Sequence, residues 1–245
     1  MTHSGTSDIF TDWLSALEAR HLADLRVPEV TRALRALSSA YVERRHKVAG
    51  GSTLDSAGKR AAFALFYAPL HFLATQHVVR ALDSGSPAPS LIVDLGCGTG
   101  AAGAAWAIEA GSKPSILGID RHPWAVSEAR WTYRCLGLRG QSRQADASRL
   151  PPLRPGVAIV GAYVLNEMSE ASRETLEHRL LEAAKTGARV LVLEPIARSV
   201  TPWWDRSAER FRAAGGRADE WKFAIELPPL LRTLDAAAGL NHREL

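Results

Sequence analysis

Three aspartates and one Asn-Glu pair occupy places where a chain can do chemistry. Asp94 follows the apolar run Leu91-Ile-Val, and glycine then falls at 96, 98 and 100, with Cys97 and Thr99 between. Asp120 closes Ile116-Leu-Gly-Ile-Asp120, with Arg121 next to it. Asp146 lies in Gln144-Ala-Asp-Ala147, and Asn166-Glu167 ends Tyr163-Val-Leu-Asn-Glu167. A carboxylate is an acceptor of hydrogen bonds from hydroxyl and amino groups. Glycines after a buried strand let the backbone approach a ligand without Cβ interference. A nucleotide-like ligand held at the carboxyl edge of a parallel sheet needs this combination.

The elements that must position these groups follow from hydropathy. Strands are predicted at 91–94, 115–119, 157–163 and 188–194, with a weaker one at 141–145. Helices are predicted at 101–110, 123–136 and 171–186. Strands alternating with helices at this spacing give an α/β fold, a Rossmann-like, mostly parallel sheet with helices on both faces. A helix at 202–214, a strand at 221–227 and a helix at 229–238 complete the pattern. Ahead of it, Phe10, Trp13, Leu14 and Leu17 recur at helical spacing, and Val30, Leu34, Leu37 and Tyr41 mark a second helix opening at Pro28. Arg44-Arg45-His46-Lys47 ends that helix, and Gly50-Gly51-Ser52 is a break. An aromatic-rich helical region over 56–82 contains Pro69, which is expected to kink or divide it. Residues 84–90 read as a linker. The expected organisation is therefore a helical extension over 1–83, the linker, and a ligand-binding domain over 91–245.

Two ligands compete for the glycine turn. Gly98-Thr-Gly-Ala-Ala-Gly103 fits the G-x-G-x-x-G spacing of dinucleotide sites, a weak signal by itself. In such a site a pyrophosphate meets the helix terminus, and an acidic Asp94 ahead of the turn opposes it. S-adenosylmethionine carries no phosphate and is a sulfonium cation, so Asp94 favours it. Asp120 is then placed to accept from both ribose hydroxyls, Asp146 from the adenine amino group, and Asp94 faces the cationic amino-acid end, directly or through water. Gly96, Cys97, Gly98 and Gly100 pass beneath the ribose and methionine, and Arg121 and Ala147 flank the aspartates. Cys97 reads as a small turn residue touching the cofactor. The order of these motifs resembles the class I S-adenosylmethionine-dependent methyltransferases over roughly residues 88–240, which implies their seven-stranded type of sheet and methyl transfer as the activity.

Methyl transfer requires chiefly that donor sulfur, methyl and acceptor lie in line. On the acceptor side, Asn166 can donate and accept hydrogen bonds and Glu167 can take a proton. The pair equally suits the start of a helix. Asn166 is not part of the Asn/Asp-Pro-Pro-aromatic signature of amino-group nucleic-acid methyltransferases. Trp203-Trp204 offers stacking surfaces, and Tyr67 or His71 could line the mouth of the cleft, against the plainer reading of both regions as core packing.

Four further segments are similar to the small-ribosomal-subunit methyltransferase-like family of bacteria and mitochondria: Val30-Thr-Arg-Ala-Leu-Arg-Ala-Leu-Ser38 with Tyr41, Lys59-Arg-Ala-Ala-Phe-Ala-Leu-Phe-Tyr67, Val164-Leu-Asn-Glu167, and Val190-Leu-Val-Leu-Glu-Pro195. That resemblance implies an RNA-facing protein with a helical extension, with ribosomal RNA or a ribosomal subunit as partner. The family's larger members carry a cysteine cluster for an iron–sulfur centre. The two cysteines here, Cys97 and Cys135, cannot supply one, so no metal is expected. A small-molecule methyltransferase of the same fold, or an assembly factor that binds cofactor without turnover, remains open on the residues alone.

Composition bounds the rest. Of 245 residues, 46% are hydrophobic and 23% charged, which is ordinary for a globular chain. The net charge is +4 and the pI about 9.3, permitting a nucleic-acid partner without demanding one. Residues 1–83 hold ten Lys/Arg against eight Asp/Glu, so the extension is barely basic. Met1 to Phe10 lacks the pattern of a signal peptide, no unbroken apolar run of about 18 residues exists, and two cysteines make no disulfide framework. A cytoplasmic location and no membrane span are expected.

Overall fold

The computed structural model describes residues 3–43, 54–148, 150, 154–197 and 200–245. The side chains of 3–7 and 40–43, the basic run at 44–47 and the break at 50–52 lie outside the described residues, as does the side chain of Tyr41. The chain divides into two compact units, Met1–Ala74 with Lys222–Leu245, and Thr75–Trp221.

The first unit is helical. Helices α1 (His3–His21), α2 (Val27–Glu43) and α3 (Ala57–Ala62) are followed by a π-helical turn (Phe63–Tyr67) and α4 (Ala68–Ala81), whose first half belongs to this unit. Phe10, Trp13 and Leu17 of α1 and Val30, Leu34 and Leu37 of α2 are buried, as their spacing predicts. Phe72 packs on Phe10 and Trp13, with ring centroids 5.1 and 5.4 Å apart.

Pro69 does not break the helix. The amide of Ala68 donates to the carbonyl of Phe63, a five-residue step. One widened turn shifts the hydrogen-bond register just ahead of the proline, which has no N–H to contribute, and α4 continues. The continuous stretch Ala57–Ala81 is long and apolar enough to cross a bilayer, with mean hydropathy 1.2 over its apolar window, and 67% of that window is buried within the protein. Polar positions such as His71 and Gln76 interrupt its apolar runs, so it contains no unbroken apolar run of the length a span needs.

The second unit carries the sheet. Strands β1 (Leu91–Leu95), β2 (Ser115–Asp120), β3 (Gly140–Gln144), β4 (Val157–Ala162) and β5 (Arg189–Leu193) pair in the order β3-β2-β1-β4-β5, all parallel. Between them run α5 (Ala101–Glu109), α6 (Pro123–Cys135) and α7 (Glu170–Lys185), and α8 (Trp204–Ala213) follows β5. Val93, Leu95, Ile119, Val157 and Ile159 on the strands meet Leu165, Leu176 and Leu180 in the core.

Five strands stand among the described residues where the sequence suggested a seven-stranded type. The predicted strand at 221–227 is reduced to an antiparallel bridge of Ala224 with Glu244, with Phe223 and Leu245 exchanging backbone hydrogen bonds. Pro228 and Pro229 end any strand pairing there and open α9 (Pro229–Ala238). Residues 222–245 group with the helical unit, and the division between units falls at Ala74, ahead of the linker composition at 84–90.

Candidate active site

The chain winds from β1 outward to β2 and β3, then returns to β4 on the other side of β1. That reversal leaves a crevice beyond the carboxyl ends of β1 and β4, the place where open α/β sheets bind ligands. Asp94 and Leu95 pair with Val160 and Gly161 in the parallel register, so the glycine turn and the Tyr163–Glu167 segment emerge side by side. Gly96 has φ +60° and presses so closely on Val164 that a Cβ would lie 2.2 Å from its Cγ2. Only glycine meets both demands there.

Asp94 is 1% exposed, and its Oδ2 accepts a 2.9 Å hydrogen bond from the amide of Gly103 in the first turn of α5. The carboxylate is thus turned onto the start of the helix. Burial pushes its pKa up to about 7, against the lowering effect of the Gly103 amide, and the Asp120 charge adds to the rise. A Cβ at Gly103 would lie 2.8 Å from Asp94 Oδ2, so this glycine of the G-x-G-x-x-G spacing admits a carboxylate to the helix.

Asp120 is half-buried at the end of β2. Its Oδ2 accepts from the Gly98 amide at 2.9 Å and its Oδ1 from the His122 amide at 2.8 Å. It therefore fixes the glycine turn, and each oxygen keeps a further lone pair for a ribose hydroxyl. Asp146 is exposed and its Oδ1 accepts from the Ser148 amide at 2.9 Å, closing the turn after β3. Ala147 is buried and Arg121 exposed.

Beneath the turn, Tyr133 of α6 fills the space left by three glycines. A Cβ at Gly100, Gly118 or Gly140 would meet its side chain at 2.6, 2.7 or 2.2 Å. Its hydroxyl is buried against the Cys97 thiol. Burial pushes the Cys97 thiol well up, with Asp94 and Asp120 adding to the effect. A thiol so held is protonated and inert as a nucleophile.

On the other side of the crevice Tyr163 adopts φ +60°, a conformation a bulky residue holds only when its surroundings impose it. Its amide donates to the carbonyl of Leu193 at 2.7 Å, and burial pushes its hydroxyl up to about 12. Residues Leu165–Glu167 form a 3-10 turn, and α7 begins later with Ser169 as its cap, so Asn166-Glu167 is a turn of its own. Glu167 is half-buried, and its pKa rises to about 7 through burial and the charge of Asp120, with Arg121 opposing.

Glu194, at the active edge where the fifth strand ends but without a predicted role, also lies on this side. Its Oε1 accepts from the amides of Leu165 at 2.8 Å and Asn166 at 3.4 Å. Its Oε2 is buried without a hydrogen-bond partner among the described residues. Burial pushes its pKa up to about 8, with Glu167 adding to the rise. A carboxylate one residue beyond a parallel strand was the available signal.

The two tryptophans lie 6.0 Å apart at 59°. The Arg173 guanidinium covers the Trp203 ring at 4.6 Å, and Trp203 packs against the sheet core, so one of its faces is occupied from within the chain. Tyr67 and His71 belong to the other unit, where they lie 6.2 Å apart. Burial raises Tyr67 to about 12, against a hydrogen bond with Ser38, and lowers His71 to about 3. The structure thus brings Asp94, Gly96–Gly100, Asp120, Asp146, Asn166, Glu167 and Glu194 to one sheet edge within a single unit.

A parallel sheet with an acid-flanked glycine turn at its switch point is a site for a nucleotide-like cofactor. Residues 92–187 match a protein-family model described as a methyltransferase domain. No curated protein sequence matches the chain. Solved structures similar to it include an S-adenosylmethionine-dependent methyltransferase from Clostridium acetobutylicum, at 16% identity and TM-score 0.39 over 48% of each chain. Another, from Aquifex aeolicus, is 20% identical over 62% of this chain and 84% of its own, with TM-score 0.45. CalS10, an amino pentose methyltransferase of Micromonospora echinaspora solved with S-adenosylmethionine, is 14% identical over 51% of each chain, with TM-score 0.39. The chain spans about half the length of the first of these structures.

Proposed function

We propose that this protein transfers the methyl group of S-adenosylmethionine to RNA, with ribosomal RNA as the acceptor class. The observation that carries the donor is Asp120, which grips the Gly98 amide and keeps lone pairs for a ribose, beside a turn that follows Asp94. When bound, S-adenosylmethionine supplies an electrophilic methyl group on a sulfonium. The chain's own work is then to bind and align. Asp120 accepts from the ribose, Asp146 from the adenine amino group, and the Gly96–Gly100 turn lies beneath. A cation near Asp94 favours its ionised form. Asn166 positions the acceptor, and Glu167 stands ready to take its proton.

The RNA reading is supported by the resemblance of the Val164–Glu167 and Val190–Pro195 segments and by an uneven charge distribution. A small-molecule acceptor is the second reading. It is favoured by the half-buried group of Tyr163, Glu167 and Glu194, whose unpartnered Oε2 suits a compact polar molecule. The same proposal puts the protein in the reducing cytoplasm, where the exposed Cys135 thiol stays reduced.

Calorimetry tests the donor: S-adenosylmethionine and its demethylated product bind and NADH does not, and the reverse result overturns the assignment. Labelled methyl donor incubated with fractionated cell extract tests the acceptor, with label expected in RNA. Label in small molecules selects the second reading, and cofactor binding with no transfer makes the protein a cofactor-binding assembly factor. Asn166→Ala is expected to lower turnover more than cofactor affinity.

A further inference from the structure

We propose that the free edge of the sheet, β3 with the exposed face of α6, is the surface that receives the phosphate backbone of a single-stranded RNA. This deepens the RNA reading above and rests on it. Residues 121–144 contain five arginines and one glutamate, a net charge of +4, which equals that of the whole chain; the remaining residues balance to zero. Arg121, Arg130, Arg134, Arg139 and Arg143 are all exposed, whereas Glu128 is 1% exposed. The stretch therefore presents cations and no exposed carboxylate.

Elsewhere in the same unit, two arginines of α8 face carboxylates. Arg206 and Arg210 pair with Glu170, Glu174 and Glu177. Among the described residues Arg130, Arg134, Arg139 and Arg143 join no salt bridge. Arg130 and Arg134 lie one helical turn apart, a like-charge spacing that disfavours the helix, so folding does not account for it. Arg130 donates to the carbonyl of Ser142 at 3.0 Å and Arg139 to that of Lys113 at 3.3 Å. Backbone carbonyls thus hold these guanidinium groups in place without neutralising them, and each keeps donors for phosphate oxygens.

The edge also leads to the cofactor end of the sheet. Gln144, the last residue of β3, donates to the carbonyl of Arg121 at 3.0 Å, next to Asp120. The exposed positions of α6 are Pro123, Ser127, Arg130, Arg134 and Cys135, which give no broad apolar face to enter a lipid surface. A polyanion with a flexible backbone fits this edge better than a membrane.

Fluorescence anisotropy of a labelled single-stranded RNA oligonucleotide with the full chain, over a potassium chloride series, is the test. Four or five phosphate contacts give a slope of log K on log salt of about −3. Arg130→Glu with Arg134→Glu is expected to weaken binding about tenfold or more and to flatten the slope by about 1.4. Arg32→Glu with Arg232→Glu, an equal change of net charge on exposed positions of the other unit, leaves binding within about twofold. Circular dichroism verifies folding, and Arg130→Gln with Arg134→Gln gives the milder form of the same loss should the reversal unfold the protein. Equal losses in both pairs, no RNA binding by the parent, or tighter binding to phosphatidylserine vesicles than to RNA overturns the proposal. Calorimetry with S-adenosylmethionine on the same samples separates the two failures. Cofactor binding without RNA binding rejects this surface and leaves the donor assignment intact. RNA binding through this edge without cofactor binding does the opposite.

Discussion

Replacing Asp94 with asparagine should stabilise the protein at neutral pH while weakening its hold on the cofactor. Asp94 is 1% exposed, and burial raises its pKa from 3.8 to about 7. Between those values the folded state binds more protons than the unfolded state, so the aspartate makes stability fall as pH rises. About three pH units at 1.36 kcal/mol each come to roughly 4 kcal/mol, an upper figure for the strain of an ionised Asp94 without ligand. Asparagine keeps an oxygen for the Gly103 amide, which Asp94 now meets at 2.9 Å, and carries no charge. Glu167 and Glu194, also raised, titrate in both proteins and cancel in the difference. Urea unfolding of the two proteins from pH 4 to pH 8 is the assay. The variant's advantage should be near zero at pH 4, grow through the window and level off above pH 7. Calorimetry at pH 8 should show weaker binding of S-adenosylmethionine. A pH-independent difference in stability would refute the argument that burial of this charge sets the cost.

Asp120→Ala removes the acceptor of two backbone amides and the ribose partner; cofactor affinity should fall by at least about 1 kcal/mol, read by calorimetry, and unchanged affinity would displace the ribose from β2. Gly103→Ala gains about 1 kcal/mol of helix propensity. It also forces a Cβ within 2.8 Å of Asp94 Oδ2 and 3.2 Å of Ile116 Cγ2, with an overpacking cost of about 1–3 kcal/mol. A net loss in urea unfolding is expected, and a gain would show that the helix start yields freely. Tyr133→Phe removes a hydroxyl buried without a strong partner, so the melting temperature should hold or rise, and a fall of more than about 5 °C would show that the contact with Cys97 matters.

Much of the sheet was legible because its signals are local. Leu91-Ile-Val, Ile116-Leu and the apolar run at 157–162 are buried strands that period and composition identify, and even the weak strand at 141–145 appears one residue earlier, as Gly140–Gln144. The glycine turn was legible for the same reason. The direction of Asp94 was not: it depends on an amide nine residues along, brought near by the closeness of α5 to β1. Glu194 escaped for a related reason, since its partners are amides of a turn 28 and 29 residues earlier. At Pro69 the helical region is divided by a π turn, a form of division that has no simple sequence signature. The bridge at Ala224 shows the converse, a segment whose strand-like residues find only one short partner.

Tyr133 ties three separate stretches of sequence into one unit of inheritance. Its ring fills the hollows over Gly100, Gly118 and Gly140, which lie in the cofactor turn, in β2 and at the start of β3. None of those glycines is free to acquire a side chain while the tyrosine remains, and the tyrosine cannot shrink without leaving a void that a methyl at Gly118 or Gly140 would help fill; at Gly100 a φ of +80° strains any side chain whatever the space. Substitutions at these positions are therefore coupled in their effect on stability. A designer wishing to reshape the space beneath the cofactor turn has to change Tyr133 together with Gly118 or Gly140, since each single step passes through a clash or a cavity.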